Sequence, residues 1–446
     1  MQSILFYFKK VSLFLIFFIL CSCQKTQYSS TYKNTKTSSF SKNADEYMTA
    51  LTNLGQFNGV VLLEKNGKQI LKKAYNLSTK PTDSLSSLWV TPQSQFDLRS
   101  IAKLFAKASI IKLESEGKLK QSDFLNKYIS DFPNGNKITL EHLMHNRSGL
   151  PRELTTNNDN CFDLGSEEII ELAKKEKLEF EPNTDERYSN VGFQILYYII
   201  SKISQKSYHN YLKEAFFEPL EMTNSGGHFD FDTSNLKKYA YGHYKKNKQL
   251  TSVLEFPKED CKTGHLYSTV DDLNKFINHL ENEPYFSALN EKNQIGHAGG
   301  TQGKRAYTFK NYEQNYNLTF LSNYDEIPFQ QIVEDLKKIL EGKPYQIPRE
   351  VNRVEIKLPT TVLSHYEGTY DFAEIEHLQL KFILEDEYLM AYQNGKLNGK
   401  LFAENDSTFF WDKKSKESVV FRKKENEEYK ALLDFKGVRW EGLKVE

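Results

Sequence analysis

Apolar residues follow two different spacings along this chain, and together they predict a fold that mixes strands with helices. Two apolar-rich segments, residues 57–65 and 68–75, flank an Asn66-Gly67 pair, a combination that favours a β-hairpin. Beyond His297 the strand spacing returns at residues 306–309 and 318–321, which are separated by a polar turn. We expect these segments to be strands.

Three stretches between these strand segments carry apolar residues at helical spacing. The first runs from Ser100 to a stop signal at Gly117, the second from Gly192 to about Phe217, and the third begins near Ser268-Thr269. In each stretch the apolar residues recur three or four positions apart, as on the buried face of an amphipathic helix. Helices are therefore expected between sheet segments.

The C-terminal part of the chain has strand spacing alone. From about Lys357 only short alternating segments remain, without helical spacing, which suggests a small antiparallel barrel or sandwich at residues 357–446. Residues 341–356, with Pro344 and Pro348, are the predicted linker before it. The expected strands are residues 365–372, 378–382, 388–392, 401–403, 409–411, 419–421 and 430–435.

The N-terminus has the pattern of a secretory signal. Two lysines precede an apolar run, residues 11–20, that is shorter than the roughly 20 residues needed to span a bilayer. The sequence Leu20-Cys21-Ser22-Cys23 resembles a bacterial lipobox, whose cysteine becomes the lipid-modified first residue of the mature protein. We expect a lipoprotein signal peptide at residues 1–23, a lipid anchor at Cys23 and a flexible polar tether at residues 24–45. The predicted location is extracytoplasmic, anchored to a bacterial membrane as a periplasmic or outer-membrane lipoprotein.

Composition narrows the classes of function. The 446 residues include 59 Lys+Arg and 59 Asp+Glu, so no charge excess favours a nucleic-acid partner. With 39% hydrophobic and 26% charged residues, the chain fits a folded protein and not a collagen-like, disordered or polytopic membrane protein. Beyond the predicted signal only Cys161 and Cys261 remain, and the sequence is compatible with a disulfide between them or with two buried thiols.

The first chemical signal is Ser100-Ile-Ala-Lys103, which places a hydroxyl and an amine one helical turn apart. A helix N-terminus at Ser100 would also favour developing oxyanion charge. The same Ser-x-x-Lys spacing occurs at six other serines, but only Ser100 opens a long amphipathic helix after an extended segment, Phe96-Asp-Leu98. This setting makes Ser100 the candidate nucleophile and Lys103 its partner.

Two further motifs carry groups suited to the same chemistry. Tyr188-Ser-Asn190 offers a phenol that could act as a base and an amide that could hold a substrate carbonyl or amine. His297-Ala-Gly299-Gly300 is rarer, because of ten histidines only His297 has a glycine two positions on. Its glycines would let a substrate approach backbone N–H groups closely. Lys262-Thr-Gly264 competes for this third role, but the helix start near Ser268 is the wrong context for an edge strand.

In combination and in this order, the motifs resemble the serine β-lactamase-like hydrolases, specifically the class C branch with its DD-peptidase, D-aminopeptidase and esterase relatives. The resemblance covers about residues 46–340, and the C-terminal segment is similar to a small β-barrel appended to some members. It implies an α+β fold with an antiparallel sheet flanked by helices, a helical subdomain and an active site between them. Besides the three motifs, it is carried by residues 138–151, 188–193, 217–222 and 264–269.

The resemblance also implies a role for each motif residue. Ser100 would be the acylating nucleophile, Lys103 its electrostatic partner and proton acceptor, and Tyr188 the general base or proton shuttle. The backbone N–H groups of Ser100 and Gly300 would form an oxyanion hole. The implied substrate-binding positions are Asn190, His297, Gly299 and Gly300.

Three positions depart from the family pattern. Arg99 and His265 stand where Gly is frequent, and His297 stands where many relatives have Lys. An imidazole with an ordinary pKa of about 6.5 is mostly neutral at pH 7, whereas Lys would offer a permanent charge to a substrate carboxylate. We therefore expect small esters or amides to be better substrates than penicillins or cephalosporins.

Different classes of function remain open at this point. The leading expectation is an extracytoplasmic serine hydrolase that acts through an acyl-enzyme on an amide, a D-amino-acid peptide or an ester. One alternative is a catalytically weak or silent penicillin-binding-like protein that captures peptidoglycan fragments or a partner, and another is a true β-lactamase. No cofactor or metal is expected, because His142 and His145 lie at helical spacing but lack an evident third ligand. The oligomeric state is left open.

Overall fold

The computed structural model describes residues 40–80, 85–155, 166–227, 238–246, 249–253, 265–375, 378–424, 428–435 and 438–445. The predictions for the signal peptide, for the anchor Cys23, for Cys161 and Cys261 and for Lys262-Thr-Gly264 concern residues outside these ranges. Within them, no helix has both the length and the apolar character needed to cross a membrane.

Helices occur both before the linker and at the start of the C-terminal segment, and two of them, at residues 102–115 and 360–363, adjoin a single 3₁₀ turn. The α-helices are α1 (Phe40–Asn53), α2 (Ala102–Ser115), α3 (Leu140–Met144), α4 (Ser166–Ala173), α5 (Asn190–Ser204), α6 (Tyr208–Leu212), α7 (Val270–His279), α8 (Tyr285–Leu289), α9 (Phe329–Leu340) and α10 (Thr360–Leu363).

Strands form a central sheet, two small sheets and a C-terminal barrel. The strands up to residue 322 are β1 (Gly59–Lys65), β2 (Lys68–Tyr75), β3 (Phe96–Asp97), β4 (Gly226–Gly227), β5 (His243–Lys246), β6 (Gln249–Ser252), β7 (Leu266–Ser268), β8 (Gln294–Thr301), β9 (Lys304–Asn311) and β10 (Tyr316–Ser322). The barrel strands are β11 (Gly368–Phe372), β12 (Leu378–Glu385), β13 (Tyr388–Gln393), β14 (Lys396–Ala403), β15 (Thr408–Phe410), β16 (Ser418–Lys423), β17 (Tyr429–Phe435) and β18 (Val438–Lys444).

The central sheet has five antiparallel strands in the order β2-β1-β10-β9-β8. Helices cover both of its faces, so β1 is apolar at successive positions instead of alternating. Val60 packs in one core cluster with α2 and α5, whereas its neighbour Val61 packs in a second cluster with α1 and α9. At the predicted hairpin turn, Asn66 and Gly67 both have positive φ angles, 52° and 70°, as a tight two-residue turn between β1 and β2 requires.

The predicted helices are present, with one interruption. The Ser100 helix consists of a 3₁₀ turn, Arg99–Ile101, followed by α2, and α7 begins directly after Thr269, whose hydroxyl accepts the N–H of Asp272. The second predicted helix, however, is divided after α5. Gln205 adopts a left-handed conformation with φ 57°, which ends α5 before α6 begins. The continuous helix expected from Gly192 to Phe217 is therefore wrong.

The predicted tether extends too far toward the C-terminus, because residues 40–45 belong to α1. One face of α1 is buried against the sheet, with Ala44, Tyr47 and Leu51 fully inaccessible to solvent. The Tyr47 hydroxyl also donates a hydrogen bond of 3.1 Å to the Asp335 carboxylate of α9. The first domain thus includes residues 40–45, which precede the predicted boundary at residue 46.

The C-terminal segment is a closed antiparallel barrel of β11 to β18, arranged in chain order. Closure occurs where β11 pairs with β18. Tyr370, Phe382 and Phe421 form part of its aromatic interior. The predicted barrel is confirmed, but β18 was not predicted, and residues 360–366 form α10 and a 3₁₀ turn where loop and the start of a strand were expected.

The end of the predicted linker is bound to the barrel. The Arg353 backbone N–H donates 2.8 Å to the carbonyl oxygen of Lys413, and its guanidinium contacts the Glu404 carboxylate. Three residues later, the N–H of Ile356 donates 2.8 Å to the carbonyl oxygen of Ala403. The last few linker residues therefore lie along the barrel surface.

Candidate active site

Ser100 lies at the junction of a short strand and a helix. The strand β3 pairs with β7, and it leads through Leu98 into the 3₁₀ turn that contains Ser100. Because α2 continues from this turn, Ser100 is at the N-terminal end of a helical segment, where backbone N–H groups lack helical partners. Such a position favours negative charge on the Ser100 oxygen or on an oxygen bound next to it.

Lys103 follows one turn later and is buried, with its Nζ atom 3.3 Å from Ser100 Oγ. The amine lies 5.0 Å from the centre of the Tyr188 ring and 5.4 Å from that of Phe193. Burial lowers the pKa of Lys103 to about 7, and the nearby positive charge of Arg99 contributes in the same direction. An amine with this pKa can accept a proton near neutral pH.

Tyr188 approaches Ser100 from the loop before α5. Its hydroxyl donates a hydrogen bond of 2.8 Å to Ser100 Oγ. Burial raises the pKa of Tyr188 above its ordinary value, although the hydrogen bond with Ser100 and the charge of Arg152, which lies 5.6 Å from the ring centre, act in the opposite direction. The phenol is therefore protonated at neutral pH, which suits a proton shuttle better than a free phenolate base.

Asn190 is placed by the start of α5. The preceding Ser189 caps this helix, since its hydroxyl accepts the N–H of Gly192 at 3.0 Å and donates 2.7 Å to the carbonyl oxygen of Pro151. The Asn190 amide, however, donates to the Glu153 carboxylate. In this arrangement the amide is held by Glu153, so a substrate would have to compete with that carboxylate for it.

His297 lies on β8, the edge strand of the central sheet. Its Nδ1 atom donates 2.6 Å to the carbonyl oxygen of Ala298, which leaves Nε2 as the atom free of a proton in the neutral ring. Loss of hydration lowers the pKa of His297 to about 4, and the positive charges of Lys107 and Lys103 add to this effect. The ring is therefore neutral at pH 7.

Gly299 brings β8 against the nucleophile turn. A Cβ atom at this position would collide with the carbonyl oxygen of Leu98 and would lie 3.1 Å from the backbone nitrogen of Ser100. Only a residue without a side chain allows the strand to come this close. The next residue, Gly300, has more room, because a Cβ there would first meet Arg305 Cδ at 3.3 Å.

The structure thus brings Ser100, Lys103 and Tyr188 into direct contact and places Gly299 beside them, with His297 two residues before it on β8. Sequence reasoning missed the charged residues around this centre. Arg152 and Glu153 directly follow the Pro151 that ends a family-like segment, so their position was a usable signal. His142, considered above as a metal ligand, accepts the backbone N–H of Thr139 through Nδ1 and so completes a capping box with Thr139, the N-cap of α3. Among the described residues no group of three or more His, Cys, Asp or Glu side chains could hold a metal ion.

The family model described as Beta-lactamase matches residues 42–323, a span that contains all three motifs. The chain belongs to the Beta-lactamase family. Among curated proteins, Penicillin-binding protein 4* of Bacillus subtilis (strain 168) is 27% identical over 403 residues, which cover 80% of this chain and 88% of that protein. Protein flp of Staphylococcus aureus (strain MRSA252) is 24% identical over 351 residues, or 68% of each chain.

Solved structures of Beta-lactamase-like proteins share the fold. The octameric penicillin-binding protein homologue from Pyrococcus abyssi matches with a TM-score of 0.59 and 20% identity, over 90% of this chain and 99% of that chain. The D-amino acid amidase from Ochrobactrum anthropi SV3, complexed with D-phenylalanine, matches with a TM-score of 0.58 and 19% identity, over 68% and 99% of the two chains. The β-lactamase/transpeptidase-like α+β fold expected from the sequence is confirmed, and membership of the Beta-lactamase family supports serine hydrolase activity.

Proposed function

We propose that this protein is a serine hydrolase that transfers the acyl group of an amide, a D-amino-acid peptide or an ester to water through an acyl-enzyme on Ser100. The observation that carries the proposal is the convergence of two groups on one oxygen: Tyr188 OH at 2.8 Å and Lys103 Nζ at 3.3 Å from Ser100 Oγ. A nucleophile within reach of both a proton acceptor and a proton donor is the arrangement that covalent catalysis needs. A protein that only binds ligands would not require it.

In the proposed acylation step, Lys103 is the proton acceptor. With a pKa of about 7, about half of the Lys103 amines are neutral at pH 7. Ser100 Oγ attacks the carbonyl carbon as its proton moves to Lys103 Nζ. The protonated Tyr188 phenol then gives its proton to the leaving nitrogen or oxygen and recovers one from the Lys103 ammonium. Acyl transfer to water reverses this proton path and releases the acid.

The oxyanion of the tetrahedral intermediate would be bound by the backbone N–H groups of Ser100 and Gly300. The close approach of Gly299 to the Ser100 nitrogen supports this assignment, because it brings β8 and the nucleophile turn to the same point. Hydrogen bonds that are aimed at the developing charge stabilise the transition state more than the substrate.

Within this class, we propose a preference for substrates that lack a carboxylate at the position where β-lactams and D-alanyl peptides carry one. His297 supports this preference, because a ring with a pKa of about 4 carries no charge at pH 7. The name of one structural neighbour, a D-amino acid amidase, fits a small amide as one member of the class.

The proposed location is extracytoplasmic, with the protein anchored through a lipid on Cys23. The support is the lipobox-like sequence Leu20-Cys21-Ser22-Cys23 after an apolar run. In bacteria that express the full chain, Cys23→Ser should shift the protein from the membrane to the soluble or unprocessed fraction, whereas Cys21→Ser should remain lipidated. Equal fractionation of the two variants would count against the anchor.

Covalent labelling tests the proposed chemistry directly. A fluorophosphonate probe should add one phosphonyl group to the protein from about residue 40 onward, on the peptide that contains Ser100, and Ser100→Ala should remain unlabelled. Removing the nucleophile should lower kcat by roughly 10³- to 10⁶-fold. Ser109→Ala is the matched control, because Ser109 belongs to another Ser-x-x-Lys sequence on α2 but is buried and donates to the carbonyl oxygen of Phe105. Label retained by Ser100→Ala would overturn the assignment.

A further inference from the structure

A buried carboxylate lies three residues before Ser100. Asp97 is 6% exposed, and its Oδ2 atom accepts a hydrogen bond of 2.8 Å from Lys304 Nζ, which is equally buried. Its other oxygen, Oδ1, accepts the backbone N–H of Arg99 at 2.9 Å. The Arg99 guanidinium lies 3.7 Å from the same carboxylate and 3.3 Å from His265 Nδ1. Asp97 thus joins two cationic side chains to the backbone just before the nucleophile.

That backbone has an unusual conformation. Arg99 has a φ angle of 47°, in the left-handed region that residues with a Cβ atom seldom adopt. The residue immediately precedes Ser100, so its backbone angles set the direction in which the Ser100 side chain and N–H point. An Asp side chain that accepts the N–H two residues on stabilises such a turn, because it replaces a backbone hydrogen bond. The Asp97 contact therefore holds a conformation that Arg99 would not favour by itself.

The Lys304 contact links this turn to the other side of the site. Lys304 is the first residue of β9 and pairs with Thr301, the last residue of β8. Gly299 and Gly300 lie just before Thr301 on the same strand. The Asp97 carboxylate is therefore hydrogen-bonded both to the turn that carries Ser100 and to Lys304, in the hairpin that carries Gly300.

We infer that Asp97 and Lys304 are positioning residues, which hold residue 99 in its left-handed conformation and align the Ser100 turn with the β8–β9 hairpin. Their effect is to aim the N–H groups of Ser100 and Gly300 at the same substrate oxygen. The inference rests on the proposed function of Ser100, and it adds two residues that contribute through geometry and not through contact with the substrate.

Steady-state kinetics with a p-nitrophenyl ester test the inference through kcat and KM separately. Asp97→Ala and Lys304→Met should each lower kcat about 10²-fold, the order of loss that a misplaced catalytic group produces, and leave KM within a few-fold of its original value. Asp97→Asn should lose less of its kcat than Asp97→Ala, because an amide oxygen still accepts the Arg99 N–H. It also provides a measurable variant if the alanine protein fails to fold.

A second buried lysine on β9 offers a matched control. Lys310 is 6% exposed, like Lys304, and forms an ion pair of 2.5 Å with Glu281, far along the strand from Thr301. Lys310→Met should lower the melting temperature as Lys304→Met does, but kcat should not change. If all of these variants lose melting temperature alike and keep kcat within twofold, the pair is only structural and the inference is wrong.

Arg99→Gly provides a rescue that a structural ion pair would not show. Glycine adopts a left-handed conformation without steric cost, so the turn no longer depends on Asp97 to hold it. The Arg99→Gly, Asp97→Ala double variant should therefore recover roughly tenfold in kcat over Asp97→Ala alone. A double variant whose loss equals the product of the single losses would contradict the inference.

Hydrogen exchange separates this inference from the proposed reaction. The amides of residues 97–102 should exchange faster in Asp97→Ala and Lys304→Met than in the original protein or in Lys310→Met, because the turn is released. This measurement needs no catalysis. An original protein that takes no serine probe would overturn the proposed function alone, whereas unchanged exchange in this segment would overturn the positioning role alone.

Discussion

The burial of Lys103 sets the pH range of the proposed reaction. Because only the neutral amine accepts a proton, and because the pKa of Lys103 is lowered to about 7, kcat/KM should rise about tenfold per pH unit below this value and level off above it. The raised pKa of Tyr188 places its deprotonation beyond the alkaline end of the ordinary assay range. A pH profile of kcat/KM for an ester substrate, corrected for spontaneous hydrolysis, measures the inflection.

Lys112→Met is the control for this profile, since Lys112 lies on the same helix but is half-exposed and pairs with Glu116. It should leave the inflection unchanged. An inflection near the ordinary lysine value, or a flat profile, would show that Lys103 is not the proton acceptor.

The neutral ring of His297 predicts a substrate preference. The test is the value of kcat/KM for three substrates: a p-nitrophenyl ester, a D-alanyl-D-alanine peptide and a chromogenic cephalosporin. The ester should be the best substrate of the original protein, and His297→Lys should improve the two substrates that carry a carboxylate by about tenfold or more, because it adds a permanent positive charge. A cephalosporin that is already the best substrate would instead favour the true β-lactamase alternative, and a lysine variant without any gain would contradict this account of His297.

The scale of single residues is also where the sequence was most informative. Ser100, Lys103 and Tyr188 were predicted from short motifs, and the structure brings them within hydrogen-bonding distance. The contact between Asp97 and Lys304 joins residues 207 positions apart, and no local pattern marks either of them. Such pairs depend on the strand arrangement, so they become visible only when the fold is known.

At the scale of elements, the approach of β8 to the nucleophile turn is the most demanding contact. Gly299→Ala should lower kcat about 10²-fold, because the new methyl group would displace β8 from Leu98 and the Ser100 nitrogen. Gly300→Ala should cause a much smaller loss, since its methyl group meets only the flexible Arg305 side chain and its N–H is retained. Kinetics with a melting curve for each variant measure the difference. Equal losses of kcat in the two variants would show that the close contact of Gly299 with Leu98 and Ser100 does not determine activity.

Two elements, β18 and α1, were not predicted from the sequence, because the apolar pattern of each is weak. In β18 the only buried position is Gly442, because the ring of Phe372 fills the barrel interior next to it. The alternation of the strand is therefore short, because only Val438 and Trp440 precede Gly442 as apolar residues on the same face, and Leu443 is exposed. Helix α1 has only Ser, Lys and Asn in its first turn after Phe40, and its later buried residues are separated by Asp, Glu, Thr and Ala. Its composition accordingly resembled that of the tether.

At the scale of the whole molecule, α1 closes the first domain against α9. Tyr47 is completely buried, lies 6.4 Å from the ring centre of Tyr345 in an edge-to-face arrangement and donates to Asp335. Tyr47→Ala should lower the free energy of unfolding by about 3–5 kcal/mol, as for other large aromatic residues removed from a core. Thr49→Ala, at an exposed position of the same helix, should change it by less than about 0.5 kcal/mol. Urea unfolding of the two variants measures both values, and similar values would mean that α1 is not part of the core.

The same contact has a consequence for how the chain acquires its fold. Tyr47 and Asp335 are 288 residues apart, and β1 pairs with β10, near the other end of the domain. The second core cluster therefore cannot form before nearly the whole domain has been synthesised, and contacts between such distant residues form slowly. A chain that remains unfolded while it emerges from the ribosome is one that a narrow translocation channel can accept, so this topology is compatible with the extracytoplasmic location proposed above.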